Sequence, residues 1–306
     1  MKRLKSKKSK DRIDKPVRNI SIVSTTGMLK RELIQEIYEY YEDLGCNIYI
    51  CKSCFVPRRL TVADDKFRAS ELMKEVKSKT CDAIIFARGG EYSERLLPYL
   101  DKSIIKKHPK LIIGFSDLTS ILSLFVENSK SRVFHGPMAT DIIYSPLKTT
   151  KMLKTILRGK TPDLNLPRVT VLNDGEAEGI LKGGCISVLA NLLETDYCPS
   201  FSQSILFIED INESKRALRR IFQQFKTARK LMSIQAVIFG EMYNCGRTHK
   251  SFWEDFKLSI FEFFFKYQIP IGYNLLSGHG RNEFYLPFGR KVKLSLKHKH
   301  SSLKIL

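Results

Sequence analysis

Short apolar runs alternate with longer amphipathic segments between residues 19 and 128. The apolar runs have the length and composition of buried strands: Asn19–Ser24, Asn47–Cys51, Ala83–Ala87 and Leu111–Ile113. The segments between them carry apolar residues at helical spacing: Lys30–Leu44, Phe67–Lys77, Glu94–Leu100 and Leu118–Glu127. This alternation predicts βαβ units around a parallel sheet, with functional residues in the loops that follow the strands.

Residues 145–175 break this rhythm, because they combine a basic stretch with three prolines. We interpret them as a connection between domains. Beyond it come Gly179–Gly184 and an apolar segment, Ile186–Leu193. The pattern then predicts strands at Ile205–Ile208 and Ala236–Phe239 and helices at Ser214–Leu231 and Phe252–Tyr267. The predicted fold class is α/β, with an N-terminal parallel-sheet domain and a smaller C-terminal α/β or α+β domain. The predicted division is a basic N-terminal tail 1–18, an N-terminal domain 19–145, a linker 146–175, a C-terminal domain 176–293 and a basic C-terminal tail 294–306.

Positive charge is concentrated at the two ends of the chain. The 306 residues carry a formal net charge of +20, with nine basic and two acidic residues in 1–18 and six basic residues in 290–306. Basic arms of this kind contact nucleic acid or anionic lipid in some proteins, whereas in most they are solvated tails. We predict solvated tails, and a nucleic-acid-binding or membrane-surface-binding protein stays as an alternative of another class.

The distribution of the cysteines and the length of the apolar runs indicate the cellular compartment of the protein. Seven cysteines are scattered along the chain, and no apolar run reaches the length of a membrane span or of a signal peptide. This pattern predicts reduced thiols and a cytoplasmic protein. Cys51 and Cys54 have the spacing of half a zinc site, but no second pair of this spacing follows, so we predict ordinary thiols and no metal.

The sharpest chemical signal lies where the apolar run Leu111–Ile113 ends. Gly114-Phe115-Ser116 forms a predicted tight turn, and a predicted helix begins directly after it. Such a strand-turn-helix lifts a serine hydroxyl above the sheet, close to the free amides at a helix N-terminus. Ser116 is therefore a candidate nucleophile, although Ser116 or Asp117 would also serve as an ordinary helix cap.

A serine nucleophile needs a base, which is usually a histidine oriented by a carboxylate. Two of the six histidines, His135 and His279, stand in glycine-containing turns. Glu209 and Asp210 follow a predicted buried strand and are candidate orienting acids. Gly89-Gly90 ends another strand, where backbone N–H groups are free to bind an oxyanion or simply form a turn.

Taken in order, these segments resemble the LD-carboxypeptidase family of serine peptidases, which includes murein tetrapeptide carboxypeptidases and microcin C immunity peptidases. The resemblance covers residues 19–293 and rests on these segments: Arg88-Gly-Gly90, Arg95–Asp101, Ile113–Thr119, His135–Met138, Gly179–Gly184, Asn191–Tyr197, Ile205–Asp210, Gly278-His279 and Leu286–Gly289. It implies a Ser-His-Glu triad in a cleft between an N-terminal nucleophile domain and a C-terminal domain that supplies the other two residues.

Position by position, the resemblance assigns three triad roles and an oxyanion hole. Ser116 is the expected nucleophile, His279 the general base and Glu209 the acid that orients it, while the backbone N–H groups of Gly90 and Asp117 are expected to bind the oxyanion. The implied reaction releases the terminal D-alanine of a murein tetrapeptide during wall recycling. The family needs no metal or organic cofactor, and its members are often homodimers.

The chain departs from the family pattern after the third predicted strand. Glu91-Tyr92 stands where the family usually has Tyr-Gly. This difference affects the conformation of the loop beside the expected oxyanion hole. Immunity peptidases of the family carry an extra loop with an aromatic residue that stacks on a nucleobase. The one tryptophan of this chain, Trp253, falls in a predicted core helix instead. Murein peptide is therefore the predicted substrate, with cleavage of a peptidyl-nucleotide antibiotic such as microcin C as the alternative.

Overall fold

The computed structural model describes residues 15–246, 249–281 and 283–306, except for the side chains of 249–253 and 255. Most of the predicted N-terminal tail, residues 1–14, and the side chain of Trp253 therefore lie outside the described part. In the described part, the helices are α1 (Glu32–Glu42), α2 (Val62–Lys77), α3 (Lys102–Lys107), α4 (Thr119–Asn128), α5 (Leu147–Leu157), α6 (Ile186–Asn191), α7 (Lys215–Thr227) and α8 (His249–Phe264). None of them is long and apolar enough to cross a bilayer.

The first sheet is built from the predicted apolar runs. Its strands are β1 (Asn19–Val23), β2 (Asn47–Ile50), β3 (Ala83–Phe86), β4 (Leu111–Gly114), β5 (Arg132–His135) and β12 (Leu286–Phe288). Over the described residues the order is β12-β5-β4-β3-β1-β2, with β1 to β5 parallel and β12 antiparallel to β5. β3 and β4 are buried at every position, as expected for central strands covered on both faces.

The second sheet contains the other eight strands of the described residues. They are β6 (Leu164–Asn165), β7 (Thr170–Asn173), β8 (Gly175–Cys185), β9 (Ser204–Ile211), β10 (Ala236–Tyr243), β11 (Ile271–Tyr273), β13 (Lys291–Leu296) and β14 (Ser302–Ile305). Within the described ranges the order is β6-β14-β13-β8-β9-β10-β11-β7, and the central strands β8 to β11 are parallel. The predicted α/β fold class with a parallel-sheet domain is confirmed.

Helix α4 lies between the two sheets. It packs on β4 and β5 of the first sheet and on β8 and α6 of the second half. Its residues from Thr119 to Phe125 are all buried, which is the pattern of a helix enclosed on every side. Because α4 follows the turn that holds Ser116, this packing fixes that turn against the second sheet.

The C-terminal segment 294–306 is not the solvated tail that its charge predicts. It completes β13 and forms β14, which pair antiparallel with each other, and β13 also pairs with β8. Val292, Leu294 and Leu296 are buried on one face of β13. On the other face Lys293 forms an ion pair with Glu176 of β8. Alternation of apolar and charged positions, rather than net charge, decides the structure here.

The chain also crosses the predicted domain boundaries. The predicted linker 146–175 contains α5, whose Leu153 and Ile156 belong to the core of the first sheet, and also contains β6 and β7 of the second sheet. β12, from the predicted C-terminal domain, adds to the edge of the first sheet. Each sheet is therefore assembled from segments that are not contiguous in the sequence.

Candidate active site

The turn after β4 holds Ser116 in an unusual backbone conformation. Ser116 has φ of 63°, a left-handed value that non-glycine residues adopt uncommonly, and it follows a fully extended Phe115. A short 3-10 turn begins at Ser116 and runs directly into α4. This strand-turn-helix geometry, predicted from Gly114-Phe115-Ser116, projects the hydroxyl away from the sheet.

His279 lies directly beside Ser116, although the two residues are far apart in the chain. The hydroxyl oxygen of Ser116 is 2.6 Å from Nε2 of His279. Nδ1 of the same ring is 2.6 Å from Oε2 of Glu209, which lies near the end of β9 and is fully buried. The three predicted residues therefore form one continuous hydrogen-bonded chain from hydroxyl to imidazole to carboxylate.

The buried carboxylate and the imidazole stabilise each other's charged forms. Burial opposes ionisation of Glu209, but the neighbouring imidazoles, His279 foremost and also His135, outweigh it and lower the pKa of Glu209 to about 2. Burial likewise opposes a charge on His279, and the Glu209 carboxylate more than compensates, so the pKa of His279 is raised above its ordinary 6.5. Glu209 is thus ionised at neutral pH and disposed to stabilise an imidazolium.

His135, the other histidine in a glycine-containing turn, does not contact Ser116. It ends β5, is fully buried, and its Nε2 lies 3.9 Å from Oε1 of Glu209, beyond hydrogen-bond distance. Its Nδ1 is 3.4 Å from the hydroxyl of Ser277. The two histidines therefore differ in their contacts. His279 contacts the Ser116 hydroxyl and Oε2 of Glu209, whereas His135 lies nearer to the other carboxylate oxygen, Oε1.

Gly89 and Gly90 bring the loop after β3 close to the serine. A Cβ atom on Gly89 would lie 3.2 Å from the hydroxyl oxygen of Ser116, and one on Gly90 would lie 2.7 Å from Cβ of Thr26. Side chains at these two positions would therefore collide or crowd the site. The altered residues that follow, Glu91 and Tyr92, are exposed, and Tyr92 has a left-handed φ of 69°.

The side chain of Asp117 anchors this same loop. Its carboxylate accepts a hydrogen bond of 3.0 Å from the backbone N–H of Ser93, and the Ser93 hydroxyl donates to the Asp117 carbonyl at 2.5 Å. Burial, with a contribution from Glu94, raises the pKa of Asp117 to about 7. Asp117 thus ties the loop after β3 to the turn after β4, and the N–H groups proposed to bind an oxyanion lie on these two segments.

Thr119 connects the serine turn to the second sheet. Its hydroxyl donates to the Ser116 carbonyl at 2.7 Å and accepts from the backbone N–H of Cys185 at 3.0 Å. A Cβ atom on Gly184, which has φ of 130°, would lie 2.5 Å from the Thr119 hydroxyl oxygen. Glycine at this position therefore allows the end of β8 to approach the Ser116 turn closely.

A cavity of about 370 Å³ opens beside Ser116 and His279. Its wall combines apolar side chains with the basic residues Arg88 and Lys30 and the acidic Asp141. The Asp141 carboxylate accepts from the backbone N–H of Met138 at 2.9 Å. Sequence reasoning did not single out Arg88, Lys30 or Asp141 as site residues individually, because only the folded chain brings these three loops together.

No group of three or more His, Cys, Asp or Glu side chains suited to a metal ion occurs within residues 15–246, 249–281 and 283–306. Cys51 and Cys54 are buried free thiols, and burial raises the pKa of Cys54 to about 12. These thiols are therefore protonated at neutral pH, which disfavours metal binding. The remaining cysteines are also free.

Two family models match the chain. Residues 20–136 match the model of the LD-carboxypeptidase N-terminal domain, and residues 178–294 match that of the LD-carboxypeptidase C-terminal domain. The chain is 28% identical over 265 residues to the probable murein peptide carboxypeptidase of Bacillus subtilis, covering 84% of this chain and 82% of that protein. It is 26% identical over 272 residues to the microcin C7 self-immunity protein MccF of Escherichia coli, covering 78% of each.

A solved structure shares the fold over nearly the whole chain. An MccF-like protein from Bacillus anthracis superposes with a TM-score of 0.83 at 21% identity, covering 95% of this chain and 97% of that one. Both domain models match in the family's order, and together they span most of the chain. This protein therefore belongs to the LD-carboxypeptidase family of serine peptidases.

Proposed function

We propose that this protein hydrolyses the amide bond that joins the terminal D-alanine of a murein tetrapeptide to the preceding L-centre, with Ser116 as nucleophile. The continuous contact from Ser116 through His279 to Glu209 carries the proposal, because it supplies a nucleophile, a base and an orienting acid in the required order. Relatives that include the probable murein peptide carboxypeptidase of Bacillus subtilis support the choice of substrate.

In the acylation step, Ser116 attacks the carbonyl carbon of the scissile amide. Nε2 of His279 takes the hydroxyl proton, while its Nδ1–H donates to Glu209 and the carboxylate stabilises the imidazolium. The backbone N–H groups of Gly90 and Asp117 would bind the developing oxyanion. The imidazolium then returns its proton to the amine of D-alanine, the C–N bond breaks, and an acyl-enzyme on Ser116 is left.

Deacylation uses the same residues in reverse. His279 takes a proton from a water molecule, the resulting hydroxide attacks the ester carbonyl, and the protonated imidazole restores the Ser116 hydroxyl as the ester bond breaks. The shortened peptide leaves as a carboxylic acid. None of these steps requires a metal ion or an organic cofactor.

An immunity-type peptidase that cleaves a peptidyl-nucleotide antibiotic is the second candidate. The sequence similarity to the self-immunity protein MccF of Escherichia coli favours it. Both candidates use the same triad and differ only in which substrate the cavity accepts.

The sequence supports four further proposals. They are a role in wall recycling, a homodimeric state, a cytoplasmic location, and contact of the basic N-terminal residues with nucleic acid or an anionic surface.

The deciding experiment offers both substrates to the purified protein. We expect release of D-alanine from a murein tetrapeptide, followed by mass spectrometry, at a rate far above that for an aminoacyl-nucleotide conjugate. The same peptide ending in L-alanine is the matched control and is expected to remain intact. Cleavage of the nucleotide conjugate alone would favour the immunity function, and cleavage of neither would contradict the proposal.

A further inference from the structure

Two basic side chains line the cavity that contains Ser116 and His279. Arg88 lies two residues after the end of β3, and Lys30 lies in the segment before α1, so they come from neighbouring loops at the same edge of the first sheet. Both residues are exposed to solvent. Asp141 on the same wall is the acidic group that faces them, and its carboxylate already accepts from the Met138 N–H.

Other arginines of the first sheet's domain are used structurally. Arg58 and Arg95 form ion pairs with Asp65, and Arg68 is fully buried against Asp64. In the described part of the chain, neither Arg88 nor Lys30 has a carboxylate within ion-pair distance. The guanidinium that borders the nucleophile is thus available to a ligand, whereas the arginines around α2 are occupied.

Gly27 gives the Arg88 side chain a defined place. A Cβ atom on Gly27 would lie 3.1 Å from Cδ and 3.2 Å from Nε of Arg88, so the arginine stem passes closely over the backbone of the loop after β1. An alanine at this position would push the side chain aside by a few tenths of an ångström. Packing of this kind limits the freedom of an otherwise exposed arginine and lowers the entropy lost on binding a ligand.

A carboxypeptidase must recognise the free carboxylate one residue beyond the bond it cleaves. We propose that Arg88, assisted by Lys30, binds the α-carboxylate of the terminal D-residue; this inference rests on the proposed function. A guanidinium matches a carboxylate with two parallel hydrogen bonds, and Lys30 adds a second positive charge. The subsite makes the enzyme specific for chain ends, because an internal amide offers no charge at this place.

The test compares two tetrapeptides that differ only at the C-terminus, one ending in D-alanine and the other in D-alaninamide. Wild-type protein is expected to cleave the free acid with a kcat/KM about 10- to 100-fold above that of the amide, the range that a charge-assisted hydrogen bond supplies. In Arg88→Gln this preference is expected to disappear, through a lower kcat/KM for the acid alone. Arg88→Lys should retain part of it, and Lys30→Gln should reduce it less.

Arg290→Gln is the matched control, since Arg290 is exposed and outside the cavity. It should leave the preference intact, and thermal melting of each variant checks folding. Two results for Arg88→Gln would overturn the carboxylate subsite and leave the proposed function intact. In one, the variant keeps the wild-type preference for the free acid over the amide. In the other, it loses activity on the acid and on the amide equally. If wild-type protein cleaves neither peptide, the proposed function itself fails and the subsite with it.

Discussion

The two sheets contribute to the site in different ways. On the first sheet, the proposed nucleophile depends on a short stretch of chain: β4 ends at Gly114, Ser116 takes a left-handed φ, and α4 begins at Thr119. On the second half, the proposed acid and base are 70 residues apart. His279, in the loop after β11, reaches Glu209 on β9 only in the folded chain. One half is a local motif, and the other is a tertiary assembly.

This difference explains what each half of the site is sensitive to. The Ser116 turn is built from consecutive residues between β4 and α4, and Asp117 and Thr119 then tie it to distant segments. The Glu209–His279 pair lies in a buried environment, where the loss of one partner leaves the other uncompensated. The hydrogen bonds of Thr119 to Ser116 and to the Cys185 N–H join the two halves.

The largest expected effect on the assembled half comes from Glu209→Gln. The amide keeps the shape of the side chain, but it cannot stabilise an imidazolium or fix the tautomer of His279 as a carboxylate does. We expect kcat for D-alanine release to fall by about 10³- to 10⁴-fold, the scale known for the corresponding acid of serine proteases. Steady-state kinetics measures this loss.

Glu194→Gln, a substitution of an exposed glutamate, is the control and should retain wild-type kcat. If Glu209→Gln remains folded and keeps more than about a tenth of the wild-type kcat, Glu209 is not the orienting acid.

The pH dependence of kcat/KM tests the electrostatics of the same pair. His279 accepts a proton only when it is neutral, and although burial lowers its pKa, the charge of Glu209 raises it above 6.5 overall. The value of kcat/KM should therefore rise with pH through a midpoint above 6.5. Below this midpoint it should decrease about tenfold for each unit by which the pH is lowered. A pH-rate profile of the wild type locates this limb.

In Glu209→Gln the residual activity should show a lower midpoint, because the group that raises the pKa of His279 is gone. An acid limb that stays at the same pH in both proteins would mean that another group titrates.

The smallest expected effect is at the junction between the halves. Thr119→Val removes the hydroxyl that donates to Ser116 and accepts from Cys185, and it keeps the branched shape. Leaving the buried N–H of Cys185 without an acceptor costs about 1–3 kcal/mol of unfolding free energy, and kcat should fall only a few-fold. Denaturant unfolding and kinetics measure the two effects, and Thr119→Ser, which retains the hydroxyl, should lose less of both. Unchanged unfolding free energy in Thr119→Val would show that this junction is not a stabilising contact.

The first sheet was largely predictable because its information is local. The apolar runs predicted β1 to β4 to within one or two residues, and the strand-turn-helix pattern located Ser116. The pattern left His135 and His279 open as the base, since spacing along the chain does not report which loop reaches the serine. The family resemblance assigns the role of base to His279, which is the one of the two that lies 2.6 Å from the Ser116 hydroxyl. The role itself stays a prediction.

The second sheet was less predictable because its pairings are long-range. The lysines of segment 294–306 predict a tail, but Leu294 and Leu296 continue the alternation that begins at Val292, and these three residues form one buried face of β13. β12 joins the first sheet across more than 140 residues of sequence, through its register with β5. A three-residue strand carries too short a pattern to reveal such a partner, and only the folded chain identifies it.

Release of D-alanine from a murein tetrapeptide by wild-type protein and by Ser116→Ala tests the central claim most directly. Ser70→Ala, an exposed serine on α2, is the control for the same change. We predict rapid release by the wild type and the control, and a loss of about 10⁴-fold or more in Ser116→Ala, whose backbone turn should remain in place. Equal release by Ser116→Ala and wild type would contradict the account, because the reaction would then proceed without the proposed nucleophile.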